Sequence, residues 1–79
     1  MLWVKMGYKV RADGTDLRYA SPATDIQIES RKRAIPHANG VGVWYHTTYF
    51  VIRPDGTEKE YQRLSDAKEA AEEEVVNHD

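Results

Sequence analysis

The chain contains no cysteine, so disulfide staples are excluded and thiolate ligands for zinc are absent. That composition fits a reducing cytosol. Long apolar runs are missing too: none approaches the roughly 18 residues a membrane span needs, and no membrane partner is expected. The apolar start, MLWVKMGYKV, is interrupted by Lys5 and Lys9, which is not the pattern of a signal peptide. With 79 residues there is room for a single domain, 1–79, built on one core. A core of that size supplies only about 3–5 kcal/mol unless metal, disulfide or association adds to it.

Catalytic patterns are equally scarce. Gly40-Val41-Gly42 lacks both the lysine and the strand–loop–helix setting of a phosphate-binding loop. His37, His46 and His78 are spread over a loop, a strand and the C-terminal end, so no metal site is expected. No serine stands in a nucleophile-elbow context. The acids Glu72, Glu73 and Glu74 fall on a water-facing helix surface, where nothing raises a carboxyl pKa for general-acid work. The expectation is a protein without enzymatic activity, cofactor or metal.

What is present reads first as strands. Leu2 to Arg11 alternates strictly, placing Leu2, Val4, Met6, Tyr8 and Val10 on one face and Lys5, Lys9 and Arg11 on the other. Asp13-Gly14 suits a tight hairpin turn, with Leu17 to Ala20 returning and Ser21-Pro22 ending the strand. Thr24 to Arg33 admits a helix capped by Ser21, with Pro22 in its first turn. The spacing of Ile26 and Ile28 favours a strand with Ile26, Ile28 and Ser30 inward. Ala34 to Gly42 reads as a loop. Val41 to Arg53 is the strongest strand, rich in β-branched and aromatic residues. Pro54-Asp55-Gly56 turns it into a partner strand over Thr57 to Gln62, which sets Tyr61 among charged neighbours. Ser65 then caps a helix over Asp66 to Val76, with Ala67, Ala70, Ala71 and Val75 on its inner stripe and Lys68, Glu69, Glu72 and Glu73 toward water. The fold class is α+β: a small, mostly antiparallel sheet of four or five strands with one C-terminal helix packed on it.

Two features bear on function. The net charge of −2 conceals a split: residues 1–53 carry eight Lys/Arg and four acids, residues 54–79 three and nine. The long strand is apolar on both sides, with Val41, Val43, Tyr45, Thr47, Tyr49 and Val51 on one face and Trp44, His46, Thr48, Phe50 and Ile52 on the other. A single alanine-lined helix covers one face of a sheet at most. The second face is then covered by the N-terminal hairpin folding over it, by a second copy in a homodimer, or by a heterologous partner.

Binding residues follow from these features. A protein partner would lie against Trp44, Tyr45 and Tyr49, since aromatics anchor such contacts, or against the acidic helix surface of Glu69, Glu72, Glu73, Glu74 and Asp79. Alternatively Arg31, Lys32 and Arg33 with His46 and the nearby aromatics form a DNA- or RNA-binding surface, phosphates meeting the bases while nucleobases stack on rings. The same three charges at a strand end would also block edge pairing.

The segment YFVIRPDGTEKEYQRLSDAKEAAEEEV, about a third of the chain, resembles the strand–turn–strand–helix units of small phage and prophage proteins. The resemblance is carried by the PDG turn, the polar-aromatic return strand and the LSDAKEAAE helix start. The same order is similar to the arm-type DNA-binding domain of tyrosine recombinases, from which this chain departs in its acidic C-terminal half and its separate N-terminal hairpin. Small phage proteins of this size and charge resemble anti-defence inhibitors, including anti-CRISPR proteins. The resemblance implies a phage-type inhibitor in the cytoplasm of a bacterial host, acting by contact with a host protein or protein complex.

Overall fold

A computed structural model describes residues 1–76; His78 and Asp79 lie outside them. Five strands, β1 (Val4–Arg11), β2 (Gly14–Ser21), β3 (Thr24–Pro36), β4 (Val43–Ile52) and β5 (Glu58–Tyr61), precede helix α1 (Leu64–Val76). Every strand pairs antiparallel with its sequence neighbour, giving one meander in the order β1-β2-β3-β4-β5. The α+β expectation holds with five strands.

The connections are short turns apart from the six-residue loop between β3 and β4. Gly56, at φ +91°, takes the left-handed position of the Pro54-Asp55-Gly56 turn, and Thr57 N–H donates to Asp55 Oδ1 at 2.9 Å. At the first hairpin the expected role of glycine is different. Ala12 and Asp13 form the turn, and Gly14 already pairs with Arg11 inside the ladder. A Cβ on Gly14 would run into the carbonyl of Lys32, so close approach to β3 demands glycine there, rather than φ.

The core is small. Ile26, Ile28 and Val51 on the sheet meet Ala67 and Ala71 on α1, with Trp3, Tyr19, Tyr49, Tyr61, Leu64 and Val75 packed around them. The segment Thr24 to Arg33 is therefore strand, its Ile26 and Ile28 inward, and β3 runs on through residues expected to be loop. The helix begins at Leu64, one residue before the expected cap: Ala67 N–H already donates to the Arg63 carbonyl at 3.1 Å, which puts Ser65 within the first turn. Tyr61, expected among charges, packs against the core.

Two sequence expectations about the faces fail. The strict alternation of β1 is broken by a bulge at Met6, between Lys5 paired with Tyr19 and Gly7 paired with Arg18. Val4 and Tyr8 consequently lie on opposite faces, and Tyr8 and Val10 share the helix side with Trp3. Nor does the N-terminal hairpin fold over the second face. It continues the sheet as β1 and β2, because β2 is hydrogen-bonded along nearly its whole length to β3.

Candidate functional site

Residues directly opposite in an antiparallel ladder share a face, so the register sorts every side chain. The helix side carries Leu17, Tyr19, Ile26, Ile28, Ser30, Lys32, Ala34, Val43, Tyr45, Thr47, Tyr49, Val51 and Tyr61. The open side carries Lys9, Arg11, Asp16, Arg18, Gln27, Glu29, Arg31, Arg33, Ile35, Trp44, His46, Thr48, Phe50 and Glu58.

The open side has no covering layer; arginines laid on carboxylates protect it instead. Asp16 on β2 accepts from Arg11 Nε on β1 at 2.5 Å and from Arg33 Nη1 on β3 at 2.6 Å. Glu29 on β3 accepts from Arg18 on β2 and from Arg31 Nε at 2.5 Å, and Arg31 reaches on to Glu58 of β5 at 2.9 Å. The Arg31 guanidinium also lies 4.0 Å over the Phe50 ring, screening the aromatic that the sequence left needing cover. Asp16 and Glu29 are buried beneath these side chains. Burial pushes both carboxyls up, but hydrogen bonds and charge from Arg33 and Arg11 at Asp16, and from Arg31 and Arg18 at Glu29, outweigh it. Both sit below their ordinary carboxylate range. Among the described residues no buried side-chain polar atom lacks a partner.

This lattice settles where the basic cluster lies. Arg31 and Arg33 are on the open side, bound to Glu29, Glu58 and Asp16, whereas Lys32 is on the helix side with its amine 4.8 Å over the Tyr45 ring. The three consecutive bases do not form one surface. Nor do they end a strand to block an edge, since β3 is the central strand.

The uncovered region lies at the other end of the molecule, which measures 52 × 21 × 20 Å. Thirteen residues of helix span about 20 Å and rest on β3, β4 and β5, so much of the sheet's length has no second layer. β2 begins opposite Arg33, and Ala34 N–H still donates to the Asp13 carbonyl of the β1–β2 turn at 2.6 Å; beyond it Ile35 and Pro36 pair only with Trp44 and Val43. These residues and the His37–Gly42 loop form a two-stranded arm beyond the body of the sheet. Trp44 and Tyr45 sit on its opposite sides, 51% and 55% exposed, with Ile35 beside Trp44 and Val43 near Tyr45. Tyr49 lies further along β4, partly buried against the core, and is not part of this surface.

The acidic helix residues also separate. Glu72 accepts from Trp3 Nε1 at 3.3 Å and Glu74 from Arg53 Nε at 2.5 Å, so both serve to attach the helix; Glu69 and Glu73 are exposed. Beside them an open groove of about 970 Å³ runs between the helix and the β4–β5 turn, lined by Ile26, Arg53, Lys59, Tyr61, Glu73 and Val75 among others.

No protein-family model, curated protein or solved structure matches the chain. Among the described residues no group of three or more His, Asp or Glu side chains could hold a metal ion, and no helix is long and apolar enough to cross a membrane.

The sequence reading placed Trp44 and Tyr45 correctly on opposite faces of β4. It placed Tyr8 and Val10 on one face with Val4; the bulge separates them from Val4, and they stand 73% and 69% exposed. The signal for the open side was legible in Asp16-x-Arg18 and Gln27-x-Glu29-x-Arg31-x-Arg33, where charge of both signs recurs at strand spacing.

Proposed function

We propose that the protein is a non-catalytic binding protein that engages a partner protein through the β3–β4 arm. One observation carries this reading: adjacent aromatics, Trp44 and Tyr45, stand half-exposed on the two sides of a ribbon that has no second layer on either side. Tryptophan and tyrosine supply large contact areas at low entropic cost and dominate interface energetics. Both sides of such an arm gain from cover, so it fits a cleft or a junction between two surfaces better than a flat patch. The exposed Glu69 and Glu73 form a separate, weaker candidate surface.

The partner class follows the sequence resemblance to small phage proteins: a host protein complex, whose blockade would make this chain an inhibitor of host defence. The test is retention of a host complex from bacterial lysate on the immobilised protein, followed by titration with the purified partner. Trp44→Ala or Tyr45→Ala should weaken binding by about 30-fold or more, the loss of roughly 2 kcal/mol typical of an anchoring aromatic. Glu73→Lys should change it little. Wild-type affinity in both aromatic variants would remove the arm from consideration.

A second reading, nucleic-acid binding, draws on the absence of any acid between Ser30 and Pro54, which leaves Lys32, His37 and His46 on or beside the arm. A two-stranded ribbon can enter a DNA major groove. Arg31 and Arg33 contribute less to this reading, since their guanidiniums already face carboxylates. Binding to random duplex at low salt, falling steeply as salt rises, would support it. Lack of binding at low salt would end it.

A further inference from the structure

We infer that the uncovered part of the helix-side face binds a second copy of this chain, forming a weak two-fold dimer. The inference shares Val43 and Tyr45 with the arm, and its test rests on Val10 and Lys32, which lie outside the arm.

Four apolar side chains stand out on that face: Tyr8 and Val10 on β1, 73% and 69% exposed, and Val43 and Tyr45 on β4, 50% and 55% exposed. Leu17, Thr15, Ala34 and Thr47 lie between them in the register. The shape of the molecule selects the occupant. Helix α1 covers one end of this face and stops, leaving a step one layer deep. Sheets stack about 10 Å apart, and a helix packed on a sheet stands off by a similar distance. The object that fills such a step is another sheet, and a two-fold copy presents a sheet with a step of its own. Placed face to face, the two bare regions cover each other while the helices stand at opposite ends and on opposite sides.

The protruding residues suit this operation. Tyr8 and Tyr45 are at diagonal corners of the patch, with Thr15, Lys32, Ala34 and Thr47 between them, so a half-turn about an axis across the strands keeps the tyrosines of one copy clear of those of the other. The four exposed residues offer on the order of 500 Å² per copy, or about 1,000 Å² in total, the lower bound for a specific interface. The association should accordingly be weak, with a dissociation constant in the range of about 10–500 µM. Lys32 is the charged group in the middle of the patch, and its amine, resting over the Tyr45 ring, opposes burial. In this arrangement Tyr45 turns toward the second copy and Trp44 remains outward for another partner.

The experiment is the mass of the purified chain by light scattering and sedimentation from about 10 µM to 1 mM, bracketing that range. Wild type should pass from monomer to dimer. Val10→Lys, which leaves the arm untouched, should weaken dimerisation at least about tenfold. Lys32→Leu should strengthen it by a similar factor, since it removes from each copy the lysine in the middle of the patch, which the interface must desolvate. Trp44→Ala should leave the mass unchanged while weakening the heterologous contact, so the two readings fail separately. Circular dichroism confirms that each variant is folded. A monomer throughout the range, a dimer indifferent to both Val10→Lys and Lys32→Leu, or larger open-ended assemblies would overturn the inference.

Discussion

Replacing Glu29 by glutamine tests whether a sheet face can be sheltered by ion pairs instead of a second layer. Glutamine keeps the shape of the side chain and one oxygen but removes the charge, and it turns an amide donor toward guanidinium donors. Glu29 accepts from Arg18 Nε at 3.0 Å, from Arg18 Nη2 at 2.5 Å and from Arg31 Nε at 2.5 Å, with its side chain only 12% exposed. Hydrogen bonds to charged groups contribute about 1.5–3 kcal/mol net. The two arginines are 39% and 29% exposed and can turn to water, so the lower part of that range applies, about 1.5–2 kcal/mol. A chain of 79 residues has roughly 4–12 kcal/mol of total stability, and each kcal/mol moves the midpoint by about 4–8 °C. Glu29→Gln should therefore lower Tm by about 6–16 °C at neutral pH. The pH dependence supplies the sign check. Because the folded carboxyl titrates below its ordinary value of 4.5, its contribution is complete above that pH and lost as pH falls through the folded pKa. Thermal and urea denaturation followed by circular dichroism should show the gap between wild type and variant at pH 7 and its narrowing in acid. Exposed Glu60→Gln serves as control, within about 0.5 kcal/mol of wild type. A gap below about 0.5 kcal/mol at pH 7, or one constant from neutral pH to below the folded pKa, would refute the reasoning.

Two further substitutions probe how the sheet is assembled. Gly14→Ala should destabilise by about 2–3 kcal/mol or more, because its Cβ meets the Lys32 carbonyl in the adjacent strand; urea denaturation measures it, and a loss near zero would show that the hairpin can shift. Trp3→Ala removes the aromatic that joins the segment before β1 to α1 through Glu72. It should cost about 2–4 kcal/mol and raise hydrogen exchange in the helix ahead of that in β3, whereas uniform loosening would contradict a local role.

The strand-forming runs, the PDG turn and the alanine stripe were legible because each depends on residues close in the chain. The spacing of Ile26 and Ile28 marked the central strand even where a helix cap competed. Two matters were not legible. The bulge at Met6 depends on how β1 fits β2, and it moved Tyr8 and Val10 onto the helix side. The pairing of Arg11 and Arg33 with Asp16, and of Arg18 and Arg31 with Glu29, depends on the register between strands. Considered alone, Arg31-Lys32-Arg33 looks like a free basic cluster; in the sheet, alternation divides it and two of its members are neutralised.

The sequence by itself determined a succession of strands followed by one thin helix, since backbone preference and side-chain period are local properties, while the meander order came from the fold. Tertiary structure decided which surfaces stay open. Strand lengths left β3 and β4 projecting beyond β2, the helix was too short to follow them, and guanidiniums from neighbouring strands sheltered the opposite face. Those outcomes turn on distances between residues far apart in the chain, which only the folded register sets.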